Sequence, residues 1–395
     1  MKIAFFSDTH LGVNDDALPQ ARLAFELALK LADCVVTCGD IFDFRIPKQE
    51  TLHEGLALFG EFSRKFFEKN KGKIIIRNAS REYSLQPMIT IFGTHERRSK
   101  GMVNPIQLMD EANVVAHAHN AKVYIEDKNT NERVCIQGLG GLPEEYAKPA
   151  LEAIKFTPEI GCFNVFIFHQ TLKEVIPFHD YFISIPDLPS GFDLYVNGHI
   201  HWRREFKSAE NNGRHVLLTG STVITQQKKN EQEQKGLWVY DTNTKESIFH
   251  YIESRPFFYR ELDFNGALVT EVYNEIEKTL ADISIARKPL VKLKLKGTLA
   301  RGISSGDVDL RSIYEKNHDV MKLSIDREFE INQELKEKIE YLRKMREESK
   351  TVREIGLSVL RAKLEENKYK LGHEEELFDA LSEGNIERAK EIVSK

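Results

Sequence analysis

The chain has 395 residues, 41% hydrophobic and 30% charged, with a net charge of −5 at pH 7. Such a composition supplies a large core and excludes wholesale disorder, and at roughly 150 residues per domain it suggests two or three domains. The charge excludes a bulk polycation, so nucleic acid would have to be held by local basic patches.

Short β-rich runs recur through the first 255 residues: Lys2–Phe6, Cys34–Cys38, Met88–Phe92, Asn164–Phe168, Phe192–Val196, Val216–Leu218, Leu237–Tyr240 and Ile248–Ile252. Helical stretches separate the early ones, at Ala21–Ala32 and Thr51–Phe67. Strands alternating with helices, then strands crowding together, predict an α/β domain layered as a β-sandwich and flanked by helices. A helix-like Leu268–Ala281 and a strand-like Leu290–Leu295 predict a small α+β domain next. No proline follows Pro289, and apolar stripes of helical spacing run through Ile331, Leu335, Ile339, Leu342 and Met345, then Val352, Ile355, Val359 and Leu360. Two short helices are expected after Leu371-Gly372, joined by a turn at Ser382–Asn385. The expected domains are thus 1–255, 256–330 and a C-terminal helical module at 331–395. No run approaches the ~18 apolar residues of a membrane span, and the N-terminus turns polar too early for a secretory signal. Four cysteines suit a reducing, cytoplasmic setting better than a disulfide framework.

Five of the strand-like runs end in polar, metal-competent residues. They are Ser7-Asp8-Thr9-His10, Gly39-Asp40, Gly93-Thr94-His95-Glu96, His169-Gln170 and Asn197-Gly198-His199-Ile200-His201. Groups beyond the carboxyl ends of strands converge in space. Two carboxylates and up to five imidazoles at one sheet edge would be frustrated without cations. A pair of divalent ions resolves this, with Asp40 placed to bridge them. Cys34, Cys38, Cys135 and Cys162, and His117, His119, His179 and His215, show no such placement and are read as ordinary core or surface residues.

This order of motifs resembles that of the calcineurin-like metallophosphoesterases. Ser7–Gly12, Gly39–Asp43, Gly198–His201 and Thr219–Thr222 are similar to the SbcD, or meiotic-recombination-eleven, type of DNA double-strand-break repair nuclease. The resemblance implies a metallophosphoesterase domain with an α+β capping and DNA-binding domain, and an exonuclease and endonuclease using two divalent ions, usually Mn²⁺. It implies that Asp8, His10 and His201 hold one metal, that Asp40 bridges, and that His169 and His199 hold the second with position 94 completing it. His95 would sit off the metals and protonate the departing oxygen. The family normally carries Asn where this chain has Thr94, a shorter and poorer ligand. A weaker second site is therefore expected, and Thr94→Asn should lower the Mn²⁺ concentration required.

Arg97-Arg98 and Arg203-Arg204 follow the third and fifth motifs and are candidate phosphate-backbone contacts; Lys228-Lys229 is a further one. The resemblance implies that the C-terminal helices dock an SMC-like coiled-coil ATPase of the Rad-fifty or SbcC type, and that the chain forms a homodimer. Candidate dimer surfaces are the Thr51–Phe67 helix, with Leu52, Leu56, Phe59, Phe62 and Phe66, and the Val103–Met109 segment; these residues equally suit the core. The implied setting is cytoplasmic, associated with the nucleoid in a prokaryote. Two alternatives are a phosphatase acting on small phosphoesters and a catalytically weakened DNA-repair scaffold.

Overall fold

A computed structural model describes residues 1–178, 180–210, 213–330, 343, 351–367, 369 and 372–393. In chain order its strands begin with β1 (Lys2–Phe6), β2 (Cys34–Thr37), β3 (Ile74–Asn78), β4 (Met88–Thr90) and β5 (Val115–His117). There follow β6 (Lys122–Asp127), β7 (Arg133–Leu139), β8 (Phe163–Phe168), β9 (Leu194–Asn197) and β10 (Arg204–Phe206). β11 (Val216–Leu218), β12 (Gly236–Asp241) and β13 (Glu246–Tyr251) complete two sheets. The first is ordered β13-β12-β1-β2-β4-β5 and the second β10-β11-β9-β8-β7-β6-β3.

Side-chain alternation explains the layering. On β1, Ile3 and Phe5 join Val36 of β2 and Tyr240 of β12 in a core shared with Ile125, Ile136, Ile167 and Val196 of the second sheet. Ala4 and Phe6 point the other way, toward α1 (Ala17–Leu31) and α2 (Gln49–Lys69). The period of two lets one strand serve both layers. On the outer face of the second sheet, Phe166, Phe168 and Tyr195 pack with Ala147 and Leu151. α3 (Pro105–Glu111) adds Ile106 and Met109 to the first helical layer, and α4 (Glu144–Ile154) carries Ala147 and Leu151. The α/β sandwich expected from the sequence is present. One expectation is corrected: the motif-bearing strands belong to two facing sheets, not one sheet edge, because β1, β2 and β4 pair with each other while β8 and β9 pair elsewhere.

Of the two roles open for the α2 side chains, the core is the one the aromatic rings take. Phe59, Phe62 and Phe66 are fully buried, and Phe25 stacks on Phe62 with centroids 5.0 Å apart. These rings are core and leave nothing apolar for a partner, whereas Leu52 and Leu56 only partly bury against the same cluster.

The described chain divides into two compact units, Met1–Tyr259 with Ser284–Lys292 and Asn317–Ser324, and Arg260–Ile283 with Leu293–Lys316 and Ile325–Lys395. A three-stranded sheet has the order β14 (Phe257–Ala267), β15 (Leu290–Leu299), β16 (Lys322–Phe329). α5 (Val269–Ala281) buries Val272, Ile276 and Leu280, and α6 (Arg311–Asn317) buries Ile313. Toward the C-terminus, α7 (Val352–Glu366), α8 (Glu374–Ser382) and α9 (Ile386–Val393) gather Leu377, Ala380, Ala389 and Ile392 with Leu360. The turn expected at Ser382–Asn385 is present, with Gly384 at φ 72°. The stripe through Ile331, Leu335, Ile339, Leu342 and Met345, together with Leu371 and His179, lies outside the described residues. Among the described residues no helix is long and apolar enough to cross a membrane.

Candidate metal centre

Every candidate group enters from a turn directly after a strand. Asp8 and His10 follow β1, Asp40 follows β2, Thr94 and His95 follow β4, His169 follows β8, and His199 and His201 follow β9. Asp8, His10, Asp40 and His199 hold positive φ values of 52°, 43°, 49° and 70°. That region is costly for residues other than glycine and is held only where the surroundings over-determine it. Gly93 is needed for closeness: a Cβ there would lie 2.0 Å from Asp40 Oδ1, so glycine lets the Thr94 turn close on that carboxylate.

The ligand atoms of Asp8, His10 and His201 lie within 4.8 Å of one another. Asp8 Oδ2 accepts from the Ser7 hydroxyl and, at 3.1 Å, from the His199 backbone N–H. Asp8 Oδ1 is buried with no hydrogen-bond partner, 3.7 Å from His10 Nε2 and 3.6 Å from His201 Nε2. The two Nε2 atoms are 3.2 Å apart. Each ring is held by its other nitrogen. His10 Nδ1 is 2.9 Å from Asp43 Oδ1, and His201 Nδ1 is 2.8 Å from Thr225 Oγ1 and 3.3 Å from Glu231 Oε1. Anchored Nδ1 atoms and converging Nε2 atoms around an orphaned carboxylate oxygen fit a divalent cation.

Asp40, His169 and His199 form a second group within the same 4.8 Å limit. His169 Nε2 is 3.0 Å from Asp40 Oδ2, and His169 Nδ1 is 2.7 Å from the Cys38 carbonyl. Asp40 Oδ1 accepts from the His95 backbone N–H at 2.9 Å. Thr94 Oγ1 reaches Asp40 Oδ2 only at 3.4 Å, so Thr94 stands at this group. His95 stands beside both: its Nδ1 is 2.8 Å from the Asp43 carbonyl and 3.3 Å from Asp43 Oδ1. A cleft of about 570 Å³ opens there, lined by Asp43, Phe44, Arg45, Ile46, Thr94 and His95.

The electrostatics follow from burial and pairing. Burial alone would raise Asp8, but the nearby His10 imidazole and the charges of His169 and His201 hold it below the usual carboxylate range. Asp40 is likewise held low, against burial, by His169. Burial would lower His10, yet Asp43, Asp8 and Asp40 push it up to about 10; Asp40 pushes His169, against burial, up to about 9. Burial and the His169 charge bring His199 down to about 4, a neutral imidazole ready to ligate. Proton-holding imidazoles between carboxylates occupy the place of positive charge. Metal uptake at pH 7 should therefore release about two protons, from His10 and His169, readable by calorimetry in buffers of different ionisation enthalpy. Both folded values lie above the unfolded ~6.5. The stability they give the metal-free chain is thus fully present below about pH 6.5 and lost as pH rises through about 9 and about 10.

The arginines divide. Arg97 and Arg98 are half-buried beside the Thr94 turn, and the Arg98 guanidinium lies 3.4 Å from Met102 Sδ. Arg204 is exposed over the Phe206 ring. Arg203 lies 4.7 Å from the Phe249 ring centroid and donates to the Tyr251 hydroxyl at 3.0 Å, so it packs against β13. Cys34, Cys38 and Cys135 are buried as core residues. His117 and His119 stack near Phe92, and His215 pairs with Glu205.

No family model matches the sequence. Against curated proteins, the chain is 29% identical over 220 residues to the DNA double-strand break repair protein Mre11 of Methanopyrus kandleri, covering 51% of this chain and 44% of that protein. The protein of the same name from Sulfolobus acidocaldarius is 24% identical over 315 residues, 76% of either chain. The chain is Mre11-like. A third, from Sulfurisphaera tokodaii, is 27% identical over 262 residues, 61% of this chain and 59% of that one. The Mre11-like chain thus spans less than half the length of the first relative and about three quarters of the second.

Several groups at the site of this Mre11-like chain are not singled out by its sequence pattern. Asp43 holds two histidines; Thr225 and Glu231 hold His201. Glu96, pushed up to about 8 by burial and by Asp40, accepts from Phe42 N–H at 2.9 Å and Gly93 N–H at 2.8 Å, tying two site turns together. Asp43 and Glu96 carried a signal, as the last residues of the Gly39–Asp43 and Gly93–Glu96 runs; Thr225 and Glu231 carried none.

Proposed function

We propose that the chain is a two-cation, Mn²⁺-dependent phosphodiesterase that cleaves DNA, as exonuclease and endonuclease, at ends during double-strand-break repair. The observation that carries this reading is the orphaned Asp8 Oδ1 between two imidazole Nε2 atoms, beside the Asp40–His169–His199 group. The likeness to proteins named for DNA double-strand break repair supports the substrate class. Asp8, His10 and His201 would hold one ion, His169 and His199 the other with Thr94 as a weak donor beside it, and Asp40 would bridge. Imidazole and carboxylate donors suit Mn²⁺. Bound divalent ions would neutralise charge on the phosphodiester and supply hydroxide near neutral pH.

The chain's own groups do the rest. The Asp43 hydrogen bond, against burial, raises His95, so an imidazolium beside the cleft is available to protonate the departing oxygen. Arg97, Arg98 and Arg204 would hold the phosphate backbone on either side of the bond cleaved, with Arg203 bracing the start of β10, where Arg204 stands. In the same reading, residues 256–330 are a capping and DNA-binding domain. Residues 331–395 dock a coiled-coil ATPase of the SMC type in a cytoplasmic, nucleoid-associated complex; the exposed Val352, Val359, Leu381 and Ile386 support that role. Exposed Met102, Val103 and Leu108 support a homodimer surface at that segment.

The test is a substrate panel of labelled duplex DNA, single-stranded DNA and p-nitrophenyl phosphate with Mn²⁺. Cleavage of DNA is expected. Turnover of the small ester alone would instead identify a phosphatase, and no turnover a binding scaffold.

A further inference from the structure

Thr94 is a short donor at the second cation group, and a carboxylate stands beside His199 of that group. The β7–α4 turn is seated directly on the Thr94 turn. Gly141 N–H donates to the Phe92 carbonyl at 2.8 Å, and a Cβ on Gly141 would lie 2.4 Å from the Gly93 carbonyl carbon and from Thr94 N. Three residues on, Glu144 opens α4. Its Oε1 is fixed by Thr171, accepting from the hydroxyl at 2.6 Å and the backbone N–H at 3.3 Å. That oxygen lies 3.8 Å from His199 Nε2. Its other oxygen, Oε2, is buried and has no hydrogen-bond partner.

A carboxylate at a helix start is ordinarily explained by the helix dipole and by capping. Those account for an acidic residue here, but not for a buried oxygen left without a donor, which is destabilising. The neighbouring Glu145, also in the first turn of α4, is exposed; Glu144 is the one turned inward, toward His199. We infer that Glu144 is a ligand of the second cation, supplying the oxygen donor that Thr94 is too short to give. The inference rests on the two-cation reading above. A carboxylate in place of a neutral donor also adds one negative charge, favouring a hard divalent ion. The expectation for Thr94→Asn changes accordingly: alone it alters Mn²⁺ uptake little, and its benefit appears when Glu144 is removed.

The test is calorimetric titration of Mn²⁺ into the metal-free full chain, with thermal unfolding of each metal-free variant as the folding control. The unaltered chain should take up two Mn²⁺. Glu144→Gln keeps the Thr171 hydrogen bonds and should weaken one binding event ~10-fold or more, leaving the other within about 2-fold. Adding Thr94→Asn to Glu144→Gln should restore most of the loss, as should Glu144→Asp in part. Two tight events in Glu144→Gln would overturn the assignment. So would a loss of both events together with lowered thermal stability and no rescue by Thr94→Asn, which marks a merely structural residue. Fewer than two events in the unaltered chain would instead remove the two-cation reading itself, and the Glu144 assignment with it.

Discussion

Asp40→Asn should reduce Mn²⁺-dependent DNA cleavage by ~10³-fold or more while the chain stays folded. Asp40 Oδ2 faces His169 Nε2 at 3.0 Å, and Oδ1 accepts the His95 backbone N–H at 2.9 Å. An amide keeps the size and can still accept from that N–H, but it loses the charge through which one group would bridge two cations. Several kcal/mol of charge stabilisation depend on those ions, and ~4 kcal/mol corresponds to ~10³-fold in rate. The measurement is single-turnover cleavage of labelled duplex at saturating Mn²⁺. Activity within about 10-fold of the unaltered chain would mean that Asp40 bridges nothing.

Asp43→Asn should cost ~10²-fold or more in activity for a different reason. The Asp43 carboxylate is 2.9 Å from His10 Nδ1 and 3.3 Å from His95 Nδ1, and the two rings meet edge to face with centroids 4.8 Å apart. One side chain therefore orients a candidate ligand and the candidate acid. Removing such an orienting partner ordinarily costs about 10–100-fold, and here two roles fall together. Because Asp43 raises His95, the variant should also move the basic limb of the pH–rate profile downward: an acid that loses its proton at lower pH stops working at lower pH. A fall in rate with the pH profile unmoved would leave His10 as the only group Asp43 serves.

The candidate centre was legible in the sequence because its candidate donors stand directly after apolar runs. Asp8, Asp40, Thr94, His169 and His199 are each announced by a strand a few residues earlier, since only the strand end brings a short side chain to a fixed point. Glu144 and Glu231 had no such herald. Glu231 lies in a polar stretch after Lys228-Lys229, and Glu144 opens a helix whose composition looks like surface. That helix was itself hard to see: Pro149 interrupts it, and only Ala147 and Leu151 are buried. β6 was obscured differently. Val123 and Ile125 face the core, but the alternate face carries Tyr124 and Glu126, where Glu126 pairs with Arg77 and Arg133 of the neighbouring strands. Opposite charges matched across a sheet read along one strand as a solvated loop. The split of the motifs between two sheets was also invisible, because strand pairing is a property of registers and not of runs.

In the two-cation reading, turns from two facing sheets hold a pair of divalent ions at one phosphodiester. Electron paramagnetic resonance of the chain loaded with Mn²⁺ tests it most directly. A pair of ions held there should give the broadened, multiline spectrum of coupled Mn²⁺, with two Mn²⁺ per chain, and Asp40→Asn should abolish the coupling. A simple six-line spectrum from a single isolated Mn²⁺ in the unaltered chain would contradict the two-cation reading.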